Sequence, residues 1–366
     1  MSLKSVNDLK KYNEILIFGA SDAADEVIRY LNTINQTVVG FIDNDLNKKN
    51  KLFNGKLVHH PADLNKILNQ NQAIIIASSY QYEITKQLIE DIKIPIDQVF
   101  PYINKMFSNH FNPQTYIDNT FSINNLRAKL CDNESNNYLT SLLEFRTTMD
   151  ARSLIKNSHI HGFYHYDNPN MGPFEGDLII DVGAFNGDSA LSYLKRLNSN
   201  ARILALEPFE NNYKQLIKNI NGHNLNEKIY PYNVAAGSEI GAGYLSHQAN
   251  NAENPRAKIS SNSVQETSQI KFETIDNLAS NQANKIDFIK IDVEGFELDV
   301  LKGSQKTLTK DKPGLAIAAY HEPEHLWAIM ELVDAIEGDY RFFLGHHPTA
   351  IYECELYAFH KSKARV

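Results

Sequence analysis

A buried-strand pattern followed by a glycine turn lies in the middle of the chain. Residues 177–190 read DLIIDVGAFNGDSA, an apolar run that ends at a first glycine and continues through a second glycine into helix-forming residues. Strand, glycine turn and helix in this order build the unit that holds a nucleotide-containing cofactor at the carboxyl edge of a parallel sheet. The segment therefore predicts an α/β fold and raises the question of which cofactor the turn holds.

The alternation of strands and helices occurs twice along the chain. In residues 1–104, apolar runs alternate with helical patterns, the runs being EILIFGA, TVVGFIDND, AIIIASS and QVFPY. In residues 176–366, strands are predicted near 178–182, 202–206, 229–234, 286–291, 314–319, 340–344 and 351–359. Parallel strands need helical crossovers, so two Rossmann-like, doubly wound sheets are predicted. Residues 105–175 between them are predicted to form a helical connector and a loop.

Length and charge restrict the class of protein. A chain of 366 residues suggests two domains at roughly 150 residues each. The net charge of −8, without a long basic run, argues against nucleic acid as a ligand. The two cysteines lack metal or disulfide spacing, and neither an apolar leader nor a membrane span is present, so a cytoplasmic protein is expected. The oligomeric state stays open.

The spacing of the central turn distinguishes between cofactors. A dinucleotide turn needs GxGxxG, whereas this turn reads DxGxxxG with Asp181, Gly183 and Gly187. A carboxylate beside a pyrophosphate would be repelled by up to about 4 kcal/mol per charge pair at ~4 Å. S-adenosylmethionine carries a sulfonium and no phosphate, so it fits better. The predicted cofactor-binding residues are Asp181, Gly183, Ala184, Phe185, Gly187, Asp188, Ser189, Glu207, Pro208, Asn233, Val234, Ala235 and Asp292.

Three parts of this set have expected roles. The helix that opens at Asp188 and Ser189 presents backbone N–H groups suited to the methionine carboxylate. Glu207, at the end of the second strand, is expected to accept the ribose hydroxyls. The segment 233–235 is expected to lie against the adenine.

The candidate catalytic residues are Asp292, Glu294 and His321, which follow the fourth and fifth strands of the second sheet. The two acids, with Glu297, can contact the methionine end, hold a hydroxylated substrate or bind a divalent ion; acids favoured by a helix N-terminus are the alternative. His321 is a general base or a hydrogen-bonding wall, with His325 four residues later. No metal ligands are assigned, and a divalent metal stays open.

These residues resemble the FkbM family of S-adenosylmethionine-dependent methyltransferases. The likeness runs through LIIDVGAFNGDSA, ALEPF, NVAAG, IDFIKIDVEGFELDVLKGS, AIAAYHEPEHLWAI and ECELYAF. It implies a class I methyltransferase fold, with a seven-stranded sheet whose last pair is antiparallel. It also implies methyl transfer to a hydroxyl oxygen of a sugar, glycan or related small-molecule acceptor. A non-catalytic module and an NAD-dependent oxidoreductase remain as alternatives.

The first part of the chain is similar to the Rossmann-type domain of nucleotide-sugar modifying enzymes, through ILIFGASDAADEVIRYL and VVGFIDND. Gly19, Ser21 and Ala24 stand where that turn normally has three glycines. Asp43 follows Gly19 at the same spacing as Glu207 follows Gly183. A nucleotide or nucleotide-sugar ligand is therefore a possible partner of this domain, although acids are common at strand ends.

Overall fold

The computed structural model describes residues 8–103, 105–157, 170–246, 258–260, 267–346 and 353–363. The chain divides into two compact units. The first comprises Met1–Thr120, Asn136–Ile160 and His346–Glu353, and the second comprises Phe121–Ser135, His161–Gly345 and Cys354–Val366. The connector predicted for 105–175 therefore contributes to both units, and the predicted domain boundaries stay predictions.

The first unit contains a six-stranded sheet in the order β3-β4-β2-β1-β5-β6. Its strands are β1 (Glu14–Phe18), β2 (Thr37–Ile42), β3 (Leu52–Phe53), β4 (Lys56–His59), β5 (Gln72–Ile76) and β6 (Val99–Pro101). All neighbouring pairs are parallel except β3 with β4. The central strands β1 and β5 are buried along most of their length, as expected of parallel strands covered on both faces. This sheet confirms the predicted Rossmann-like fold.

The second unit contains a seven-stranded sheet in the order β16-β17-β15-β14-β7-β8-β9. Its strands are β7 (Leu178–Val182), β8 (Arg202–Leu206), β9 (Ile229–Tyr232), β14 (Phe288–Ile291), β15 (Gly314–Ala318), β16 (Tyr340–His346) and β17 (Cys354–His360). The first five are parallel, and β17 runs antiparallel to β15. The class I methyltransferase sheet expected from the sequence is confirmed.

The helices are, in chain order, α1 (Ala23–Thr33), α2 (Leu64–Ile67), α3 (Gln81–Lys86), α4 (Lys105–His110), α5 (Pro113–Asp118), α6 (Thr120–Lys129), α7 (Asn133–Thr148), α8 (Arg152–Asn157), α9 (Asp188–Arg196), α10 (Glu210–Gly222), α11 (Ile275–Ser280), α12 (Glu297–Lys302), α13 (Gln305–Lys310) and α14 (His325–Ile336). None of these described helices is both long and apolar enough to cross a membrane. In α9, Ala190, Tyr193 and Leu194 are buried at helical spacing, so this helix packs one apolar face on the sheet.

A four-stranded sheet in the second unit was not predicted from the sequence. It has the order β10-β13-β11-β12, from β10 (Ala235–Ala236), β11 (Gly241–Ser246), β12 (Lys258–Ser260) and β13 (Thr267–Glu273). Glycine is depleted in strands because it offers no side chain to pack. In this sheet the ring of Phe272 fills that space, since a Cβ on Gly243 would lie 2.6 Å from its Cε2 atom.

Several predicted element ends differ from the observed ones. The strand predicted for 229–234 stops at Tyr232, and β10 starts separately after a short break. The helical sequence pattern YEITKQLIEDI forms α-helix only as far as Lys86, and a π-helical turn follows over Gln87–Asp91. Most of the loop predicted before residue 175 lies outside the described residues.

Candidate active site

Five residues of the predicted site follow the parallel strands of the seven-stranded sheet at its carboxyl edge. Ligands of open α/β sheets bind at this edge, where the ends of parallel strands meet. The residues that follow β7, β8, β9, β14 and β15 are Gly183, Glu207, Asn233, Asp292 and His321 respectively. All five belong to the site predicted from the sequence, and the fold brings the ends of their strands to one edge.

The glycine turn after β7 is tightly enclosed by backbone. Gly183 has a φ of +76°, and a Cβ there would lie 1.8 Å from the carbonyl oxygen of Asp292. The N–H groups of Gly183 and Ala184 both donate to the carbonyl of Leu206, at 3.0 and 2.9 Å. Glycine is therefore required here because neighbouring strands approach the turn closely.

Phe185 lies at the tip of the same turn in a conformation that is uncommon for a bulky residue. Its φ is +48°, in the left-handed region, and its side chain is 52% exposed. Its N–H donates to Oε2 of Glu207 at 2.9 Å. Such backbone strain persists only where the surroundings hold it, and it clusters at ligand sites.

Glu207 is almost fully buried, although it ends a strand at the open edge of the sheet. Its Oε1 atom accepts from the N–H of Phe209 at 2.9 Å and lies 3.4 Å from Nδ2 of Asn212. Burial raises the pKa of the Glu207 carboxyl to about 7, against the effect of these hydrogen bonds. Glu207 is therefore only partly ionised at neutral pH, and further hydrogen-bond donors would stabilise its charged form.

Asn233 holds the main chain that follows β8. The Nδ2 atom of Asn233 donates to the carbonyls of Glu207 and Pro208, at 2.9 and 3.1 Å. Val234 leads into β10, which starts at the buried Ala235. The amide of Asn233 thus fixes the loop after β8, a role that its position in the sequence did not reveal.

The N-terminus of α9 differs from the expectation of free backbone N–H groups. The N–H of Asp188 donates to Oδ1 of Asn186 at 3.1 Å, and that of Ser189 donates to Oδ1 of Asp188 at 2.8 Å. Asn and Asp side chains commonly satisfy the first donors of a helix in this way. The first two donors of α9 are thus bound by side chains, and the carboxylate of Asp188 lies at the positive end of the helix.

Asp181 forms an ion pair with Lys290, a buried lysine that is not among the site residues predicted from the sequence. The Nζ atom of Lys290 on β14 lies 3.1 Å from Oδ1 of Asp181, and both side chains are buried. Burial alone would lower the pKa of Lys290, but Asp181 and Asp292 raise it, so the amine stays charged. A single lysine within the apolar run FIKI was the available signal, because a buried charge needs a partner.

A buried glutamate organises the residues after β14 and β15. Oε1 of Glu297 accepts from the N–H groups of Val293 and Gly295, at 3.0 and 3.3 Å, and lies 2.7 Å from Nδ1 of His321. Its Oε2 lies 3.0 Å from Nδ1 of His325. Glu297 therefore joins the loop after β14 to both histidines of the HEPEH segment.

The other nitrogen of His321 faces two more carboxylates. Its Nε2 lies 3.5 Å from Oδ1 of Asp292 and 3.6 Å from Oε2 of Glu294, which has a φ of +53°. Burial alone would lower the pKa of His321, but Glu297 and the two other acids raise it to about 9. Burial alone would likewise raise the pKa of Glu297, but both histidines hold it far below its usual value. His321 is therefore cationic at neutral pH.

The same cluster has the donor types of a cation site. Ligand atoms of Asp292, Glu297 and His321 lie within 4.8 Å of one another. Carboxylate and imidazole donors bind divalent ions such as Mn²⁺ or Zn²⁺. Oε1 of Glu297 already accepts two backbone N–H groups, and a metal on His321 would have to displace its proton.

Comparison with known proteins adds to this geometry. Residues 181–344 match the family model described as the methyltransferase FkbM domain. This segment is an FkbM methyltransferase domain. Residues 11–100 match a second model, described as C2185-like, N-terminal. No curated protein matches the sequence.

Several solved structures are similar to this chain. A methyltransferase FkbM from Methylobacillus flagellatus KT is 17% identical, with a TM-score of 0.65, and the match covers 98% of this chain and 94% of that one. A putative rRNA methylase from Clostridium thermocellum is 9% identical, with a TM-score of 0.35, covering 53% of this chain and 92% of that one. Fibrillarin from Aeropyrum pernix, solved with bound S-adenosyl-L-methionine, is 14% identical, with a TM-score of 0.32, covering 50% and 66%.

The corresponding acid of the first unit differs from Glu207 of the FkbM domain. Oδ2 of Asp43 accepts from the N–H of Ala20 at 3.0 Å and from Nζ of Lys48 at 2.8 Å, and Oδ1 accepts from the N–H of Asp45. Burial alone would raise the pKa of Asp43, but Lys48 and the backbone donors hold it below its usual value. An amine thus occupies the carboxylate that would accept ribose hydroxyls, and the nucleotide site of this unit stays a prediction.

Proposed function

We propose that the FkbM domain is an S-adenosylmethionine-dependent O-methyltransferase that acts on a hydroxyl of a sugar, glycan or related small molecule, as in polysaccharide biosynthesis. The observation that supports this most is the link between the glycine turn and the acid after β8. The N–H of Phe185 donates to Glu207, so turn and carboxylate form one rigid edge. A nucleoside with two adjacent hydroxyls suits such an edge, because a carboxylate can accept from both.

The charges at this edge favour a ligand without phosphate. Asp188 places its carboxylate at the N-terminus of α9, where a pyrophosphate would otherwise bind. Asp292 follows the neighbouring strand β14, and its side chain is 26% exposed. Two acids would repel a dinucleotide, whereas the ammonium and sulfonium of S-adenosylmethionine would be attracted.

The residues of the turn fit the parts of this methyl donor. Glu207 would accept from the ribose, Asn233 and Ala235 would border the adenine, and the carboxylate of Asp188 would hold the methionine ammonium. The exposed ring of Phe185 offers an apolar surface beside them. When bound, S-adenosylmethionine supplies a methyl group, and its sulfonium sulfur keeps the electron pair of the broken bond and becomes a neutral thioether.

The remaining chemical task is to remove the proton of the acceptor hydroxyl. His321 is cationic at neutral pH and paired with Glu297, so it is a poor proton acceptor. Asp292 is the partly exposed carboxylate beside it, and we assign to Asp292 the role of general base. His321 and Glu297 then orient Asp292, and Glu294 lines the acceptor side.

Two experiments test this proposal. Isothermal titration should show binding of S-adenosylhomocysteine and no binding of NAD. Mass spectrometry of hydroxylated glycan intermediates should show a gain of about 14 Da per transferred methyl group that depends on S-adenosylmethionine. Binding of NAD alone would favour the oxidoreductase alternative, and donor binding without transfer to any acceptor would favour a non-catalytic module.

A further inference from the structure

Lys290 is a charged residue in the middle of the seven-stranded sheet, and it lies directly beneath the glycine turn. We propose that Lys290 is a positioning residue of the methyl-donor site, which acts by neutralising Asp181 and by fixing the carbonyl of Gly183. This inference rests on the proposed function, since the site that Lys290 would position is the one assigned to S-adenosylmethionine.

The ammonium of Lys290 offsets a buried negative charge. The side chain of Asp181 is fully buried, and burial raises the pKa of its carboxyl, whereas Lys290 lowers it. Its compensation is the ammonium of Lys290 at 3.1 Å. Breaking a buried pair by removing one partner leaves an uncompensated charge in the interior, which is strongly unfavourable.

Lys290 also holds the backbone of the glycine turn. The Nζ atom of Lys290 also donates to the carbonyl of Gly183 at 2.7 Å. Lys290 faces Asp181 in the register of β14 with β7, and Asp292 directly follows the end of β14. The lysine therefore ties the bend after β7 to the strand that presents the candidate general base.

The ion pair with Lys290 changes how Asp181, a predicted cofactor-binding residue, acts at the site. Because Lys290 offsets its charge, Asp181 does not present a bare carboxylate to a sulfonium. The acids that remain near the open edge are Asp188 and Asp292, and both contribute to the raised pKa of Lys290. Lys290 thus pairs with Asp181. The carboxylates of Asp188 and Asp292 would meet the ligand.

A double-mutant cycle distinguishes this role from simple packing. Lys290→Met removes the charge and keeps an unbranched apolar chain, and Asp181→Asn removes the opposite charge. We expect Lys290→Met to weaken binding of S-adenosylhomocysteine at least ~10-fold, and Lys290→Met with Asp181→Asn to recover most of that loss. Lys290→Arg, which keeps the charge, should bind more tightly than Lys290→Met. Lys302→Met, at a half-exposed lysine on α12, is the matched control and should bind like the wild type.

Each outcome of the double-mutant cycle supports or overturns the positioning role of Lys290. Recovery in the double variant supports the inference, including the case in which Lys290→Met alone fails to fold. Wild-type affinity in Lys290→Met, additive losses in the cycle, or a double variant that also fails to fold would overturn it. If the wild-type protein does not bind S-adenosylhomocysteine, the proposed function fails and the donor-site role of Lys290 fails with it. Wild-type binding with additive losses removes the role of Lys290 alone.

Discussion

Glu297 and His321 form a buried ion pair, with 2.7 Å between Oε1 of the glutamate and Nδ1 of the histidine. Each raises the fraction of the other that is charged at neutral pH. The pair therefore works as a fixed dipole beneath the acceptor side of the site. It also decides which residue takes the substrate proton, because a histidine that keeps its own proton leaves that task to Asp292.

The ion pair should make stability depend on pH. The folded pKa of His321 is about 9 and its ordinary value is 6.5, so its contribution is complete below pH 6.5 and is lost as pH rises through 9. The contribution is on the order of 3 kcal/mol. Urea unfolding of the wild type and of His321→Gln should differ most at about pH 6 and least near about pH 10. The exposed His223→Gln is the control, and a difference that does not change with pH would contradict the prediction.

Replacement of Asp292 should affect turnover more than donor binding. Loss of a general base typically lowers the rate by about 10²–10⁴-fold, so Asp292→Asn should lower kcat by that order. Its affinity for S-adenosylhomocysteine should change only a few-fold. Asp299→Asn, at a half-exposed aspartate on α12, should leave both quantities unchanged. A kcat close to that of the wild type in Asp292→Asn would show that another group accepts the proton.

Donor affinity should weaken as pH falls through 7. The ribose hydroxyls donate to Glu207, so the charged carboxylate is the binding form, and its pKa is about 7. Below that value the affinity for S-adenosylhomocysteine should fall by about tenfold per pH unit. In Glu207→Gln, calorimetry should find weak binding that does not change over the same range. Glu210→Gln, an exposed site in the first turn of α10, should keep the wild-type profile, and a flat wild-type profile would refute the ribose assignment.

Two glycines with positive φ offer a matched test of the turn. A Cβ on Gly183 would collide with the carbonyl of Asp292, whereas a Cβ on Gly176, at a φ of +86°, would meet nothing within 4 Å. Gly176→Ala should therefore cost only the left-handed strain, about 1–2 kcal/mol. Gly183→Ala should cost more than about 4 kcal/mol in denaturant unfolding, because two strands must separate. Equal losses would mean that strain, not contact, dictates glycine at Gly183.

The glycine turn and Glu207 were predictable because their signals are local. An apolar run, a glycine bend and an acid at the next strand end each follow from strand burial and from the geometry of parallel sheets. The FkbM domain and its sheet could accordingly be predicted from the sequence. The antiparallel end of the sheet was also expected, and β17 lies between β15 and β16 and runs antiparallel to β15.

The interactions that decide the chemistry were not predictable, because they join residues far apart in the sequence. Lys290 meets Asp181 only after β14 pairs with β7, and Glu297 meets His321 only where α12 lies beside the end of β15. The charge state of His321 depends on three acids from the segment that follows β14. A sequence pattern gives the residue types at an edge, whereas their protonation depends on burial and distance.

The segment that forms the small sheet begins and ends at neighbouring points, since Ala235 pairs with Phe272 and Ala236 pairs with Glu273. Because β10 and β13 hold the two ends of the segment together, the residues between these strands can be exchanged as one unit. Chimeras joined at this pair of residues would therefore change the small sheet and keep the strand order of the seven-stranded sheet.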